Sequence, residues 1–266
     1  MASQEPASVP IDDPAPFAEP PKSECYWPLR SSDSRRLDIA YEATDGTIIV
    51  NEARYFHAPR QDRYHAGVDL YGNPGDALIA CEDGRIVNFY SFYEGTYALI
   101  VEFPDKVVNY GEVADDSLTR TGLRVNDTVE AGEVIGAVGR LGSGNSMCHF
   151  ETYVPGTTKN ESWPAGQNPS ARLLNPTKYL LFLKEHGVAI DVARAMERNL
   201  TLGQSLGWEA CLDKIARLLS LSSVPAGPDS RDLAVSAARW QRTRGLTEDG
   251  IIGSTSWGKL KEQLGV

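Results

Sequence analysis

The chain has 266 residues, with 26 Lys and Arg against 36 Asp and Glu, giving a net charge of −10. Hydrophobic residues make up 41% and charged residues 23%, a globular balance that excludes disorder throughout. The acidic balance without any Lys/Arg run excludes a basic surface for nucleic acid, and no apolar run approaches the ~18 residues of a membrane span.

Residues 1–24 hold six prolines, at 6, 10, 14, 16, 20 and 21, with five acids against one Lys. That composition predicts an extended, disordered tail. It offers neither the basic start nor the apolar stretch of a secretory signal, so delivery by lysis or by a dedicated apparatus is expected. Residues 25–190 read as an antiparallel all-β domain. Its strands are expected at 47–50, 77–80, 85–90, 97–103, 107–110 and 134–138. Turn signals lie at Asn73-Pro74-Gly75, Asp83-Gly84 and Asn126-Asp127.

Helical spacing begins near Thr177, with Tyr179, Leu183, Val188, Val192 and Met196. A linker is expected over 191–200. A small three-helix all-α domain is expected over 201–266, with helices at 202–221, 231–244 and 254–264. Gly245 is the expected stop of the middle helix. The four cysteines are widely spaced without a C-x-x-C pair, which predicts buried free thiols.

Four histidines are available, His57, His65, His149 and His186. In an extended segment His65, Gly67 and Asp69 share a face, and so do Met147, His149 and Glu151. Two imidazoles and a carboxylate suit Zn²⁺, and a catalytic zinc keeps three protein ligands and one open position. Cys148 falls on the opposite face. His57 reads as a surface or groove-edge residue, and His186 as a helix C-terminal residue.

The order of motifs adds a resemblance. The first is His65-Ala66-Gly67-Val68-Asp69. The second runs from Ala80 through Gly84 to Val87, and the third is Val129-Glu130-Ala131-Gly132-Glu133-Val134-Ile135-Gly136. Cys148-His149-Phe150-Glu151 and Leu174-Asn175-Pro176 follow. Together they resemble the M23 (LytM/lysostaphin-type) zinc metallopeptidases over about 64–180. The resemblance implies one Zn²⁺ held by His65, Asp69 and His149, and hydrolysis of peptide bonds in bacterial peptidoglycan.

Two further histidines of that pattern are replaced. The family's Tyr-x-His-Leu segment reads Tyr110-Gly111-Glu112-Val113, and the first His of its His-x-His pair reads Met147. Glu112 is then the candidate general base. Tyr110, taken as one alternate position from Glu112, and Met147 are candidate groove-lining, substrate-binding residues.

The C-terminal stretch resembles the type 1 peptidoglycan-binding domain. The matching residues are Ala238-Arg239-Trp240-Gln241, then Asp249-Gly250-Ile251-Ile252-Gly253, then Trp257-Gly258-Lys259-Leu260. Trp240 and Trp257 are expected in its core, and Gly250 and Gly253 in tight backbone. The expected function is a zinc-dependent peptidoglycan endopeptidase, bacteriolytic and wall-targeted. The alternatives are a non-catalytic wall-binding or hydrolase-activating protein, or a wall-docking part of a phage tail or injection apparatus. An inhibitor protein is a further conceivable partner.

Overall fold

Residues 84–102 form the first long hairpin, because β-branched and aromatic residues alternate on both sides of a glycine turn. In the computed structural model, which describes residues 14–22, 24–43, 45–50, 52–188 and 190–266, Glu94 and Gly95 both take positive φ at its tip. Paired positive φ values match the right-handed twist of the flanking strands.

Twelve strands are present among the described residues: β1 Leu29–Arg30, β2 Tyr41–Glu42, β3 Ile48–Ile49, β4 Val68–Tyr71, β5 Ala77–Ile79, β6 Gly84–Ser91, β7 Tyr97–Glu102, β8 Val107–Val113, β9 Thr128–Val129, β10 Val134–Ala137, β11 Met147–Tyr153 and β12 Leu173–Leu174. The main sheet runs β12-β11-β8-β7-β6-β9, and β4 also pairs with β11. Every named pairing is antiparallel. β1-β5-β10 and β2-β3 form two smaller sheets.

Helix α1 (Ser117–Thr121) follows β8, and helix α2 (Thr177–His186) follows β12. Just before α2, Asn175 Oδ1 accepts from the Thr177 N–H at 2.9 Å. Tyr179 and Leu180 of this helix are buried, as are Phe150 and Tyr110, and the Phe150 and Tyr179 rings stack at 6.2 Å. The same core encloses an ion pair. Lys106 Nζ lies 2.9 Å from Glu82 Oε1, which also accepts from the Tyr179 hydroxyl at 2.7 Å. None of the four cysteines is in a disulfide; Cys25, Cys81 and Cys148 are buried.

The tail departs from expectation where it is described; residues 1–13 lie outside the described residues. Phe17 bridges Asn175 in parallel. Asn175 N–H donates to Pro16 O at 2.7 Å, and Ala18 N–H donates to Asn175 O at 3.0 Å. Ala15 and Ala18 are buried. Proline constrained the backbone here without preventing apolar docking.

The chain divides into a β unit ending at Gly187 and a helical unit from Val188 to Val266. The expected linker over 191–200 is instead the start of helix α3 (Val192–Leu206), capped by Asp191, which accepts from Arg194 N–H. The helix expected over 202–221 is interrupted. Gly207 at φ +74° ends α3, a 3₁₀ turn covers Trp208–Cys211, and α4 spans Leu212–Leu218. Helices α5 (Arg231–Thr243) and α6 (Ser254–Leu264) complete the unit. The helical unit thus holds four α-helices among the described residues, where three were expected.

Trp208, Ile215, Leu233, Trp240, Trp257 and Leu260 share its core. Gln241 organises the loop that follows α5. Its amide N–H groups donate to Asp249 Oδ1 and Ile251 O, and its carbonyl oxygen accepts from Asp249 and Gly250 N–H. Gly250 has φ +69°, and a Cβ there would lie 2.7 Å from Ala234 O. Gly253 has extended backbone and open space instead, so only Gly250 needs to be glycine.

Candidate metal centre

Strands β4 and β11 create the centre through their register. Asp69 is the direct partner of His149, so alternation sends both side chains to one face. His65 reaches the same face from just before β4. Gly67 lies between them against β11, where a Cβ would fall 2.5 Å from Phe150 O. That close approach excludes any larger residue.

The hydrogen bonds around the two rings fix where their lone pairs point. His65 Nδ1 lies 2.8 Å from Tyr55 O. A carbonyl oxygen only accepts, so Nδ1 carries the proton and Nε2 presents a lone pair. His149 Nε2 lies 2.8 Å from Glu151 Oε1, which leaves Nδ1 facing the other way. Asp69 Oδ1 sits 3.1 Å from His65 Nε2 and 2.8 Å from His149 Nδ1. The two nitrogens are 3.1 Å apart.

Three acceptor atoms therefore converge on one point, and all three residues are buried. Such a set repels itself unless a cation or a proton sits inside it. Burial alone would lower the His149 pKa, but Glu151 and Asp69 hold it well above the usual histidine value. Burial would raise Asp69, but His65 and His149 keep its carboxyl well below the usual range. Among the described residues this is the one His/Cys/Asp/Glu group that could hold a metal ion.

Glu112 lines the same groove. It is 7% exposed, and its Oε2 has no hydrogen-bond partner. Burial pushes its pKa up to about 7, with His149 pulling it down and Asp69 pushing it up. Its backbone is in the left-handed region at φ +62°, an unusual state for a non-glycine residue. The register explains it. Tyr97 pairs with Val113 and Leu99 with Tyr110, so β8 carries one residue more than β7 over this stretch. This bulge interrupts alternation and brings Glu112 into the groove.

Tyr110 is the correction that follows from the bulge. It does not line the groove. It is fully buried, its hydroxyl donates to Ile79 O at 2.9 Å and accepts from Cys81 N–H at 3.2 Å, and its ring packs edge-on against Phe150. Tyr110 and Glu112 would share a face only in a regular strand. Met147, at the start of β11, does line the groove. Cys148 is in the core, where burial raises its thiol pKa well above the ordinary value. His57 stacks on Trp163 at 4.7 Å. His186 lies in the last turn of α2, 3.6 Å from Glu185.

The groove encloses about 570 Å³, with Tyr64, Tyr90, Phe92, Tyr93, Leu141 and Trp163 among its walls. Three supporting residues were not singled out by role from sequence. Glu151 orients His149, and its Oε2 accepts from Asn109 Nδ2 at 2.6 Å and the Tyr153 hydroxyl at 3.0 Å. The His149-x-Glu151 spacing in a strand was its available signal. Arg60 Nη2 lies 3.2 Å from Asp69 Oδ2, a loop contact with no sequence periodicity behind it. Gly111 pairs with His149, where a Cβ would fall 3.1 Å from the His149 Cβ.

Residues 63–161 match the model of peptidase family M23, which places an M23-type domain in the β unit. The murein hydrolase activator NlpD of Salmonella dublin is 28% identical over 117 residues. That covers 44% of this chain and 29% of the relative; NlpD of Salmonella typhimurium gives the same figures. The chain therefore spans less than a third of the length of these curated relatives. Among solved structures, the catalytic domain of the antimicrobial peptidase lysostaphin from Staphylococcus simulans is 22% identical. It covers 48% of this chain and 89% of that chain, with a TM-score of 0.38. A zinc-containing peptidase from Vibrio cholerae is 16% identical, covers 59% and 40%, and has a TM-score of 0.29.

Proposed function

We propose that the β unit is a zinc-dependent peptidoglycan endopeptidase acting at the cell wall. The observation that carries this reading is Glu112. A buried carboxyl with an unpartnered oxygen and a pKa near 7 stands in the same groove as three converging metal-type donors. The donor chemistry fits zinc, because two neutral imidazoles and one carboxylate supply three ligands and leave an open position. His65, Asp69 and His149 would hold the ion, which supplies Lewis acidity to the scissile carbonyl and acidifies water.

The chain's own residues then handle the protons. Glu112 Oε2 takes a proton from the attacking water as the new C–O bond forms. It returns that proton to the amide nitrogen as the C–N bond breaks. A carboxyl whose burial raises it above its ordinary value can accept and then return a proton in such a cycle. Glu151 and Tyr55 O hold the two imidazoles in the tautomers that face the centre. Met147 and the aromatic walls contact the peptide. The helical unit is read as a wall-binding module, which raises the local concentration of cleavable bonds.

The second reading is a non-catalytic hydrolase activator, and the NlpD likeness favours it. The phage-tail, injection-apparatus and inhibitor readings rest on no described feature. Digestion of purified sacculi separates the two main readings. The endopeptidase releases new muropeptides, loses that activity to a chelator and recovers it with Zn²⁺, and the Asp69→Ala variant releases none. If the wild type binds sacculi and releases nothing while a partner hydrolase is stimulated, the activator reading replaces the enzyme.

A further inference from the structure

We propose that Arg60 is a positioning residue for the metal centre, holding Asp69 Oδ2 so that Asp69 meets a cation through Oδ1 alone. The inference rests on the metallopeptidase reading above and concerns a residue outside the donor set. Asp69 has two oxygens with different surroundings. Oδ1 faces His65 Nε2 and His149 Nδ1. Oδ2 is 3.2 Å from Arg60 Nη2.

The guanidinium is itself tied down. The same Nη2 donates to Ala53 O at 2.5 Å, and the Arg60 main-chain N–H donates to Arg63 O at 2.9 Å. The bridge between Pro59 and Tyr64 closes this turn directly before His65. Arg60 is 33% exposed, but the carboxylate it reaches is 7% exposed. The pair therefore sits at the edge of the buried centre and is not a freely solvated surface contact.

This arrangement has a coordination consequence. A carboxylate with both oxygens available can clasp a cation through both, filling the position a catalytic zinc keeps open for water. With Oδ2 engaged by Arg60, Asp69 supplies one atom and the open position is kept. A cation at this distance also repels a metal ion by its charge. The two effects have opposite signs. If charge dominated, removing Arg60 would tighten metal binding; if orientation dominates, removal weakens it.

The test uses the full chain, stripped of metal and titrated with Zn²⁺ and Co²⁺ against a chromophoric chelator. Arg60→Met and Arg60→Gln are expected to bind Zn²⁺ about 10–100-fold more weakly, the usual loss when an outer partner of a ligand is removed. Their Co²⁺ visible bands are expected to lose intensity as Asp69 adds its second oxygen. Arg60→Lys, which keeps a donor and the charge, is expected to recover much of the affinity. Circular dichroism matching the wild type confirms folding. Unchanged or tighter binding by both neutral variants overturns the proposal. Weaker binding with an unchanged Co²⁺ spectrum also overturns it, because general loosening would explain the loss. If the wild type binds neither metal, the metallopeptidase reading fails and the Arg60 inference fails with it. If the wild type binds and the variants match it, only the Arg60 inference falls.

Discussion

The β unit buries two charged clusters that resemble each other in composition and differ in closure. In the first, Glu82 accepts from both Lys106 Nζ and the Tyr179 hydroxyl, and Lys106 also contacts Asp105. The charges there are paired and hydrogen-bonded, as a buried ion pair requires. In the second, three acceptors face one another around a point, and Glu112 Oε2 beside them has no partner. The first cluster resolves its own electrostatics. The second needs a cation, a proton or a substrate to do so. Closure of the hydrogen-bond network, more than burial or charge, separates the structural cluster from the reactive one.

The largest expected effect breaks the open cluster without altering its shape. Glu112→Gln keeps the volume and removes the proton acceptor. Muropeptide release should fall about 10²–10⁴-fold, the usual weight of general acid–base catalysis, while Zn²⁺ affinity stays within a few-fold. Wild-type cleavage by this variant would remove Glu112 from the chemistry. The closed cluster should respond oppositely. Lys106→Met leaves Glu82 buried without its cation, which costs about 3–5 kcal/mol of stability. Urea unfolding would read that loss, and turnover per folded molecule should not change. A loss below about 1 kcal/mol would show that the pair is not an essential element of the core.

The open cluster was the more legible of the two in the sequence. His65, Gly67 and Asp69, and likewise His149 and Glu151, are spaced so that strand alternation alone puts them on one face. The antiparallel register of β4 and β11 did the rest. What alternation could not supply was its own interruption. The extra residue in β8 is invisible in Tyr110-Gly111-Glu112, because Glu is a poor marker of left-handed backbone. Gly207 was a more readable signal, yet the apolar period from Leu206 to Leu219 ran through it and suggested one helix. The docking of Phe17 beside Asn175 and the reach of Arg60 to Asp69 join residues whose spacing carries no period. Such contacts are set by the tertiary fold and leave no local signature.

Glu112 also makes the open cluster sensitive to pH. Its folded pKa, pushed up to about 7, lies above the ordinary carboxyl value of 4.5. The fold thus favours the neutral form. The associated stability is fully present below about pH 4.5 and is lost as pH rises through about 7. At pH 8 the metal-free wild type carries the cost of a buried, unpartnered carboxylate, which Gln does not. Glu112→Gln should then raise stability by about 2–3 kcal/mol at pH 8 in the presence of a chelator. The gain should vanish near pH 4. Thermal melting at both pH values checks this. An equal gain at both would mean that packing, not ionisation, distinguishes the variants.

The smallest expected effect tests the bulge. Tyr110→Phe removes a hydroxyl that donates to Ile79 O and accepts from Cys81 N–H. Two buried backbone groups lose their side-chain partner, at a cost of about 1–3 kcal/mol. Neither group faces the groove, so kcat and KM should remain at the wild-type values while the urea midpoint falls. If the kinetics changed and stability did not, Tyr110 would face the substrate after all. The strand would then alternate regularly through Gly111, and Glu112 would share the groove face with Tyr110 without any bulge. A loss of stability alone fixes Tyr110 on the core side. The extra residue in β8 is then what allows two alternate positions, Tyr110 and Glu112, to serve the core and the groove.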